Sequence, residues 1–200
     1  MGKLLSEEKG ENNLDDYIPQ LEKEYNFWMR GTEELNSKNP SVYRVTLMPD
    51  GNILNHYWDE HDTPREESFK EDVELAKDVT DKKTLLRNIR AACESGWDFS
   101  SRWFKDEEDF TSIHTTEIIP VDLNCLLFDL KKTIAKAYQL SNDNASAEKF
   151  AAAANNRKQA IQKYCWNENE KFYFDYDYVE GKQKKSVTLA ALFPLFFEIA

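Results

Sequence analysis

The segment from Glu94 to Trp103 holds the residues best suited to do chemistry. It places Asp98 next to Trp97, with a glycine, an arginine and several hydroxyl groups close by. This mixture is typical of carbohydrate sites, because indole rings bind the apolar faces of sugars while charged and hydroxyl groups bond their oxygens. A carboxyl held against an indole can have its pKa raised enough to donate a proton. Asp98 is therefore the first candidate for a catalytic acid.

A second segment, residues 55–68, is rich in charged and aromatic residues but has neither helical nor strand periodicity. Such a segment is more typical of a functional loop than of a core element. If both segments lie on one rim, their arginines and carboxylates form a pocket with indole walls, and the candidate pocket-lining residues are Trp58, Trp97, Arg102 and Trp103. The alternative is that the tryptophans are core residues and the charges form salt bridges at the rim.

The composition indicates one globular domain without a nucleic-acid partner. Of the 200 residues, 40% are hydrophobic and 13% aromatic, which is enough for a substantial core. The net charge of -11 and the lack of a basic stripe argue against binding to nucleic acid. No apolar run approaches the ~20 residues of a membrane span, so we expect no membrane partner. The sequence carries no signal for an oligomeric state.

Motifs for metals, cofactors and nucleophiles are missing from the sequence. His56, His61 and His114 lack paired-ligand spacing, so we predict no metal site. The 6 glycines form no phosphate-binding pattern, so we predict no cofactor. The serines lack the G-x-S-x-G elbow of a nucleophilic hydrolase. What remains is carboxylate chemistry beside aromatic platforms.

Helices joined by long loops must position these residues. Apolar spacing of three and four residues predicts helices over 14–30, 83–95, 121–140 and 145–166, a short polar helix over 67–79, and an apolar helix over 189–199 with Pro194 in its middle. Pro49-Asp50-Gly51 predicts a β-hairpin, and alternation at 172–177 predicts a strand or extended edge. The predicted fold class is all-α with a small β-hairpin, compatible with an α/α toroid or a solenoid.

The cysteines and the N-terminus favour a cytoplasmic location slightly. The 3 cysteines are widely spaced, so we expect free thiols, which are more common in reducing compartments. The start of the chain shows no secretory signal pattern. Residues 1–6 match a loose myristoylation pattern. However, the start reads like the interior of a longer protein, so we expect no lipid there.

Several segments together resemble the α,α-trehalases of glycoside hydrolase family 37. They are HYWDEHDTPREES from His56, SGWDFSSRW from Ser95, IPVDLN from Ile119, YCWN from Tyr164 and YFDYD from Tyr173. These segments follow the order of the family, and the likeness extends from about Tyr17 to the end of the chain. The resemblance implies an (α/α)6 barrel that hydrolyses trehalose to two glucoses with inversion. It implies trehalose, a small disaccharide, as the binding partner.

The resemblance also assigns roles to individual residues. Asp98 matches the general acid of the family, and Arg65 and Glu67, with Glu66 between them, match its substrate-binding segment. Gly96 matches a residue that lines the same pocket. An inverting hydrolase needs one protonated carboxyl for the leaving oxygen and a second carboxylate to activate water. No residue of this chain matches that second carboxylate.

Two signatures of the family are absent from the chain. One is the upstream P-G-G-R-F-x-E-x-Y-x-W-D and the other the downstream Q-W-D-x-P-x-x-W. We therefore expect residues 1–200 to be part of a catalytic domain truncated at both ends, carrying the acid without the base and inactive alone. Two alternatives stay open. One is a truncated module that binds a sugar or a partner without catalysis, and the other is an α/α-toroid glycosidase acting on another disaccharide.

Overall fold

The computed structural model describes residues 11–199, apart from the side chains of residues 11 and 12. The myristoylation pattern therefore lies outside the described residues. Within this range the α-helices are α1 (Ile18–Met29), α2 (Phe69–Leu75), α3 (Lys82–Glu94), α4 (Val121–Leu140), α5 (Asn144–Cys165) and α6 (Phe193–Phe196). Short 3-10 helices occupy Glu11–Tyr17, Thr32–Glu34, Ser101–Trp103, Phe110–Ser112, Thr115–Glu117 and Leu189–Leu192.

Aspartate caps explain where two of the predicted helices begin. Asp81 accepts a hydrogen bond from the amide of Thr84 and starts α3. Asp143 accepts from the amide of Ser146 and starts α5. The helix over 121–140 is confirmed at both ends, and those over 83–95 and 145–166 each begin and end one residue earlier than predicted.

The strands in residues 11–199 are short and antiparallel, and they form three small sheets. Strands β1 (Ser41–Val42), β2 (Val45–Leu47) and β3 (Ile53–Asn55) form the first sheet, in which the predicted hairpin pairs Leu47 with Ile53. The second sheet has the order β4-β7-β8, from Ile118–Ile119, Tyr176–Asp177 and Lys182–Gln183. The third pairs β5 (Trp166–Asn167) with β6 (Phe172–Tyr173). The segment 172–177, predicted as one strand or extended edge, holds two separate strands, β6 and β7, which belong to different sheets.

Two hydrophobic clusters form the core, and Trp97 packs against both. The first is built on the α4–α5 hairpin and includes Leu54, Val121, Phe128, Ala154 and Ile161. The second surrounds α3 and includes Leu85, Ile89, Ala92, Trp103 and Ile118. Trp97 lies just after α3, and its ring contacts both clusters. The two clusters therefore meet at the segment 94–103, which holds the candidate acid.

Two expectations about the fold need correction. The predicted helix over 189–199 is wrong as a single helix, because a 3-10 helix over Leu189–Leu192 precedes the four-residue α6. Pro194 lies in the first turn of α6 instead of kinking its middle, since proline is tolerated where the amide has no helical partner. The chain is mostly helical, but in its described part three small sheets stand where the sequence predicted one hairpin and a strand at 172–177.

Candidate functional site

Asp98 lies in a tight turn, residues 95–100, directly after α3; we refer to it as the acid turn. Gly96 and Asp98 have φ angles of 72° and 42°, in the left-handed region that glycine and, less easily, aspartate adopt. The amide of Ser100 donates to the carbonyl of Trp97 at 3.1 Å and closes the turn. The Asp98 side chain is exposed, and no residue in 11–199 donates a hydrogen bond to its carboxylate. The turn thus presents a carboxyl group to solvent.

Arg65 is held in place by Asp72, a buried aspartate of α2. Asp72 Oδ2 accepts from the amide of Arg65 at 2.8 Å and from its Nε at 3.0 Å, and Oδ1 accepts from Nη2 at 2.7 Å. Burial raises the pKa of Asp72, but the hydrogen bonds from Arg65 outweigh this and bring it below its usual value. Two of the three nitrogens of the guanidinium are therefore fixed, which leaves Nη1 facing other groups.

Cys93 connects Arg65 with the acid turn. Arg65 Nη1 donates to the sulfur of Cys93 at 3.4 Å, and the guanidinium carbon lies 5.1 Å from the centre of the Phe99 ring. Burial raises the pKa of Cys93, Arg65 lowers it, and the charges of Asp98 and Glu67 raise it further. The thiol of Cys93 thus contacts Arg65 directly and responds to the charges of two further residues selected from the sequence, Asp98 and Glu67. Sequence reasoning did not select Cys93, because it lies inside a helix beside no obvious base.

The structure does not bring Glu66 into this group. Its carboxylate accepts from Arg90 Nη2 at 3.1 Å, and its side chain is 85% exposed. The pKa of Glu66 is lowered by a hydrogen bond from its own amide and by Arg90. At Gly96, a Cβ would meet no atom within 4 Å. The position therefore favours glycine because of its positive φ angle, and not because another group packs closely against it.

Trp58 stands beside a second charged pair. Its amide donates to Glu94 Oε2 at 3.0 Å, and Glu94 Oε1 accepts from Arg44 Nε at 2.8 Å. Burial raises the pKa of Glu94, partly offset by Arg44. The half-buried indole packs edge-on against Tyr43 at 5.1 Å. No periodic signal links Arg44 with Glu94, so their pairing could not be predicted from the sequence.

Arg102 and Trp103 are wrong as pocket-lining candidates. Both side chains have a relative exposure of 0%, so neither can line an open pocket. Trp103 packs edge-on against Tyr57 with ring centres 6.0 Å apart, inside the cluster around α3. The 3-10 helix over Ser101–Trp103 turns both side chains inward. For Trp103 this agrees with the alternative prediction that the tryptophans are core residues.

Arg102 is the centre of a buried ion cluster with Asp122 and Asp175. Its Nε and Nη2 donate to the two oxygens of Asp175 at 2.6 and 2.5 Å, while Nη1 and Nη2 donate to those of Asp122 at 3.1 and 2.8 Å. Burial lowers the pKa of Arg102, but the two carboxylates outweigh this and raise it above its usual value. Asp122 Oδ2 also accepts from Trp97 Nε1 at 2.7 Å. The cluster therefore reaches the acid turn.

His114, Glu117 and Asp177 form another compact polar group, with potential ligand atoms within 4.8 Å of one another. Two lysines contact this group. Lys184 Nζ lies 2.8 Å from His114 Nε2, and Lys105 Nζ lies 2.9 Å from Glu117 Oε2. The arrangement is that of an ion-pair network, which the sequence could not predict because Asp177 lies far along the chain.

The sequence profile of the trehalase family matches the chain over residues 1–200. This chain belongs to the trehalase family. It is 45% identical over 202 aligned positions to a periplasmic trehalase of Salmonella paratyphi B and 44% identical to one of Salmonella agona. Each alignment covers 100% of this chain and 35% of the relative. The chain thus spans about a third of the length of these curated relatives.

The relatives correct the expected location. They are named periplasmic trehalases, so the slight preference for the cytoplasm is wrong. The expected free thiols and the pattern at the start of the chain indicate the compartment less reliably than relatives of 44–45% identity do. Among the described residues, no helix is both long and apolar enough to cross a membrane.

One solved structure with a similar backbone is the GH63 mannosylglycerate hydrolase from Thermus thermophilus in complex with glucose. The match covers 96% of this chain and 43% of the hydrolase, with 13% identity and a TM-score of 0.49. An uncharacterised conserved protein from the same organism matches with a TM-score of 0.47 and 14% identity.

Proposed function

We propose that this chain forms part of the catalytic domain of an inverting α,α-trehalase and contributes the general acid, Asp98. The observation that carries the proposal is the acid turn, which holds Asp98 exposed beside Trp97 in a left-handed conformation. Backbone strain of this kind is concentrated at functional sites. Membership of the trehalase family supports trehalose as the substrate.

In the proposed reaction, the carboxyl of Asp98 donates its proton to the glycosidic oxygen as the bond to the anomeric carbon breaks. Water attacks that carbon from the opposite face and loses a proton to a base, which inverts the configuration. We assign that base to no residue of this chain. The completed reaction yields two glucoses, and Asp98 regains its proton from solvent.

Arg65, Glu67 and Gly96 are proposed to bind the sugar next to Asp98. The two hydrogen bonds from Nε and Nη2 to Asp72 fix the guanidinium of Arg65, which lowers the entropy cost of orienting a sugar hydroxyl. The charges of Glu67 and Asp98 both raise the pKa of Cys93, which supports placing them in one site with Arg65. Glu66, Trp58 and Trp97 remain candidates for the outer part of the same site.

We also propose that the chain is part of an (α/α)6 barrel. The α4–α5 hairpin supports this, because paired antiparallel helices are the unit of such a barrel. Several apolar side chains near the C-terminus are more than half exposed, namely Leu189, Leu192, Leu195 and Phe196. Apolar surface of this kind is typical of faces that pack against further structure. By analogy with the named relatives, we propose a periplasmic location.

The test uses two proteins: the 200-residue chain, and the same chain joined in frame to the segments that complete a periplasmic relative, here termed the completed chain. Glucose release from trehalose is measured for both, with maltose as a control substrate. The completed chain should release equal amounts of α- and β-glucose from trehalose, detected by NMR before the anomers equilibrate. The 200-residue chain should release none.

Three results would contradict parts of the proposal. Turnover by the 200-residue chain would show that its own residues supply the base. A completed chain without activity on trehalose would contradict the assigned substrate. Trehalose binding by the 200-residue chain in calorimetry, with no hydrolysis by either protein, would favour a sugar-binding module.

A further inference from the structure

The acid turn makes a polar contact with the buried core through the side chain of Trp97. The indole ring packs against both hydrophobic clusters, and its Nε1 donates to Asp122 Oδ2 at 2.7 Å. The backbone amide of Trp97 also donates to Ser95 Oγ at 3.0 Å. Because Trp97 directly precedes Asp98, the position of the indole sets the position of the next residue.

Asp122 is itself fixed from two directions. It lies in the first turn of α4, where the helix dipole favours a carboxylate, and it is 2% exposed. Arg102 donates to both of its oxygens, and Asp175 holds Arg102 from the other side. A carboxylate with so many fixed partners is a rigid acceptor for the indole N–H.

We infer that Asp122 is a positioning residue for the general acid: it holds the indole of Trp97, and through it the acid turn that carries Asp98. Asp122 does not touch the substrate in this arrangement. The inference rests on the proposed function, because it concerns the geometry of the acid that the proposed reaction needs. A displacement of about 1 Å at a reacting group can cost about a hundredfold in rate.

Asp175 provides a matched comparison. Both aspartates are almost fully buried and both bind Arg102 through two oxygens. Only Asp122 also accepts from Trp97, whereas Asp175 Oδ1 accepts from the amide of Val121 at 2.9 Å. Asp122→Ala and Asp175→Ala therefore remove the same kind of ion pair, but only the first removes the contact to the acid turn.

The first measurement follows the indole N–H of Trp97 by NMR in the 200-residue chain, with the signal assigned by its loss in Trp97→Phe. In Asp122→Ala the exchange rate of this proton should rise about tenfold, the effect of one lost hydrogen bond, and the amide signal of Asp98 should shift. In Asp175→Ala both signals should change much less. Asp122→Asn should retain part of the protection, because its amide oxygen still accepts.

The second measurement uses kcat and KM of the completed chain on trehalose. Asp122→Ala should lower kcat by about ten- to a hundredfold with a smaller change in KM, and Asp175→Ala should lower kcat much less. Trp97→Phe should reproduce the loss, and Asp122→Ala should add little to it in the double variant. A purely structural role predicts equal losses for both aspartates.

The outcomes separate the inference from the proposed function. Equal kcat losses for the two aspartates, multiplied losses in the double variant, or unchanged Trp97 and Asp98 signals in Asp122→Ala would each overturn the inference. An unmodified completed chain that releases no glucose would overturn the proposed function. In that case the NMR comparison still decides whether Asp122 holds the turn.

Discussion

Two fully buried guanidinium groups, those of Arg102 and Arg157, have opposite surroundings. Arg102 is 0% exposed and lies between two carboxylates, whereas Arg157 is 2% exposed and bonds amides and a thioether. Arg157 Nη1 donates to Asn124 Oδ1 at 2.5 Å and Nη2 to Asn55 Oδ1 at 2.7 Å. Burial lowers the pKa of Arg157 to about 10, whereas the carboxylates raise that of Arg102.

The difference shows what each group does. The Arg102 cluster joins the start of α4 to the acid turn, so its charges are matched and its geometry is fixed. Arg157 joins α5 to the first turn of α4 and to β3, and its Nε has no partner among the described residues. Burying a charge among neutral partners lowers the stability of the fold. In a buried ion pair, removal of either partner lowers stability strongly, because the other charge then stays buried without a counter-ion. The first arrangement belongs to the candidate site and the second to helix packing.

The largest effect is expected for Arg102→Met. The variant leaves the carboxylates of Asp122 and Asp175 buried without a counter-ion, so the free energy of unfolding should fall by about 3–5 kcal/mol. Urea unfolding followed by circular dichroism measures it. Arg30→Met, which removes an exposed pair with Glu60, is the control and should change stability much less. A loss at Arg102 no larger than at Arg30 would contradict the assigned role of the cluster.

Arg157→Met should cost less than Arg102→Met. The side chain leaves no unmatched charge behind, and Asn124 Oδ1 still accepts from the amide of Asn55 at 3.0 Å. We expect a loss of about 1–3 kcal/mol, mostly from the lost hydrogen bonds to Asn55 and Asn124. The same urea titration measures it. If both methionine variants lost equal stability, the distinction between the two centres would fail.

Lys131 sharpens the comparison through pH. It is buried near Arg157, and burial followed by the charge of Arg157 lowers its pKa from 10.5 to about 6. Between these values the unfolded chain binds more protons than the folded chain, so stability rises with pH. Lys131→Met should remove this rise, which at about 1.4 kcal/mol per pH unit amounts to about 3 kcal/mol between pH 6.5 and 9. Unfolding titrations across that range measure it.

Lys132 is the matched control, because it is the exposed neighbour of Lys131 on α4. Lys132→Met should leave the pH dependence intact. In Arg157→Met the rise should become weaker, because the repelling charge is gone. A pH dependence that survives Lys131→Met would contradict the assignment to this buried amine.

The smallest effect is expected at a partly exposed ion pair. A hydrogen bond from His114, then one from Lys105, lowers the pKa of Glu117 from 4.5 to about 2. The contribution of ionised Glu117 to the free energy of unfolding is therefore present above pH 4.5 and is lost as the pH falls towards 2. Glu117→Gln should lower the free energy of unfolding by about 1 kcal/mol at pH 7. In unfolding titrations at a series of pH values, this difference in stability from the unmodified chain should vanish near pH 2. A difference that persists there would contradict the titration of Glu117.

Much of the fold follows from local pattern. The helices over 83–95, 121–140 and 145–166 were predicted to within a residue at each end from their apolar periodicity, and aspartate caps start two of them, α3 and α5. The small sheets were underestimated, because two-residue strands such as Ile118–Ile119, which pairs with Tyr176–Asp177, owe their form to partners distant in sequence. Pro194 misled the prediction, since periodicity alone does not distinguish a helix start from a kink.

The candidate site was predicted only in part. Residue type and the neighbouring indole select Asp98 as a candidate acid, and the resemblance assigns roles to Arg65 and Glu67, but neither reveals the hydrogen bond from Arg65 to Cys93. The sequence cannot show that Asp122 and Asp175 bind the same arginine, because pairing between distant segments is a tertiary property. Arg102 was selected as a pocket residue because it shares a segment with Asp98 and two tryptophans. Charged residues are seldom fully buried, but two carboxylates reverse that rule for Arg102.

The most direct test of the account is the leaving-group dependence of Asp98→Asn in the completed chain. Loss of a general acid should slow trehalose hydrolysis by about 10²–10⁴-fold and should slow hydrolysis of α-glucosyl fluoride far less, since fluoride departs with little need of a proton. Asp109→Asn, in an exposed loop, is the control. Trehalose hydrolysis at the unmodified rate, or equal slowing of both substrates, would contradict the role of Asp98 as the proton donor.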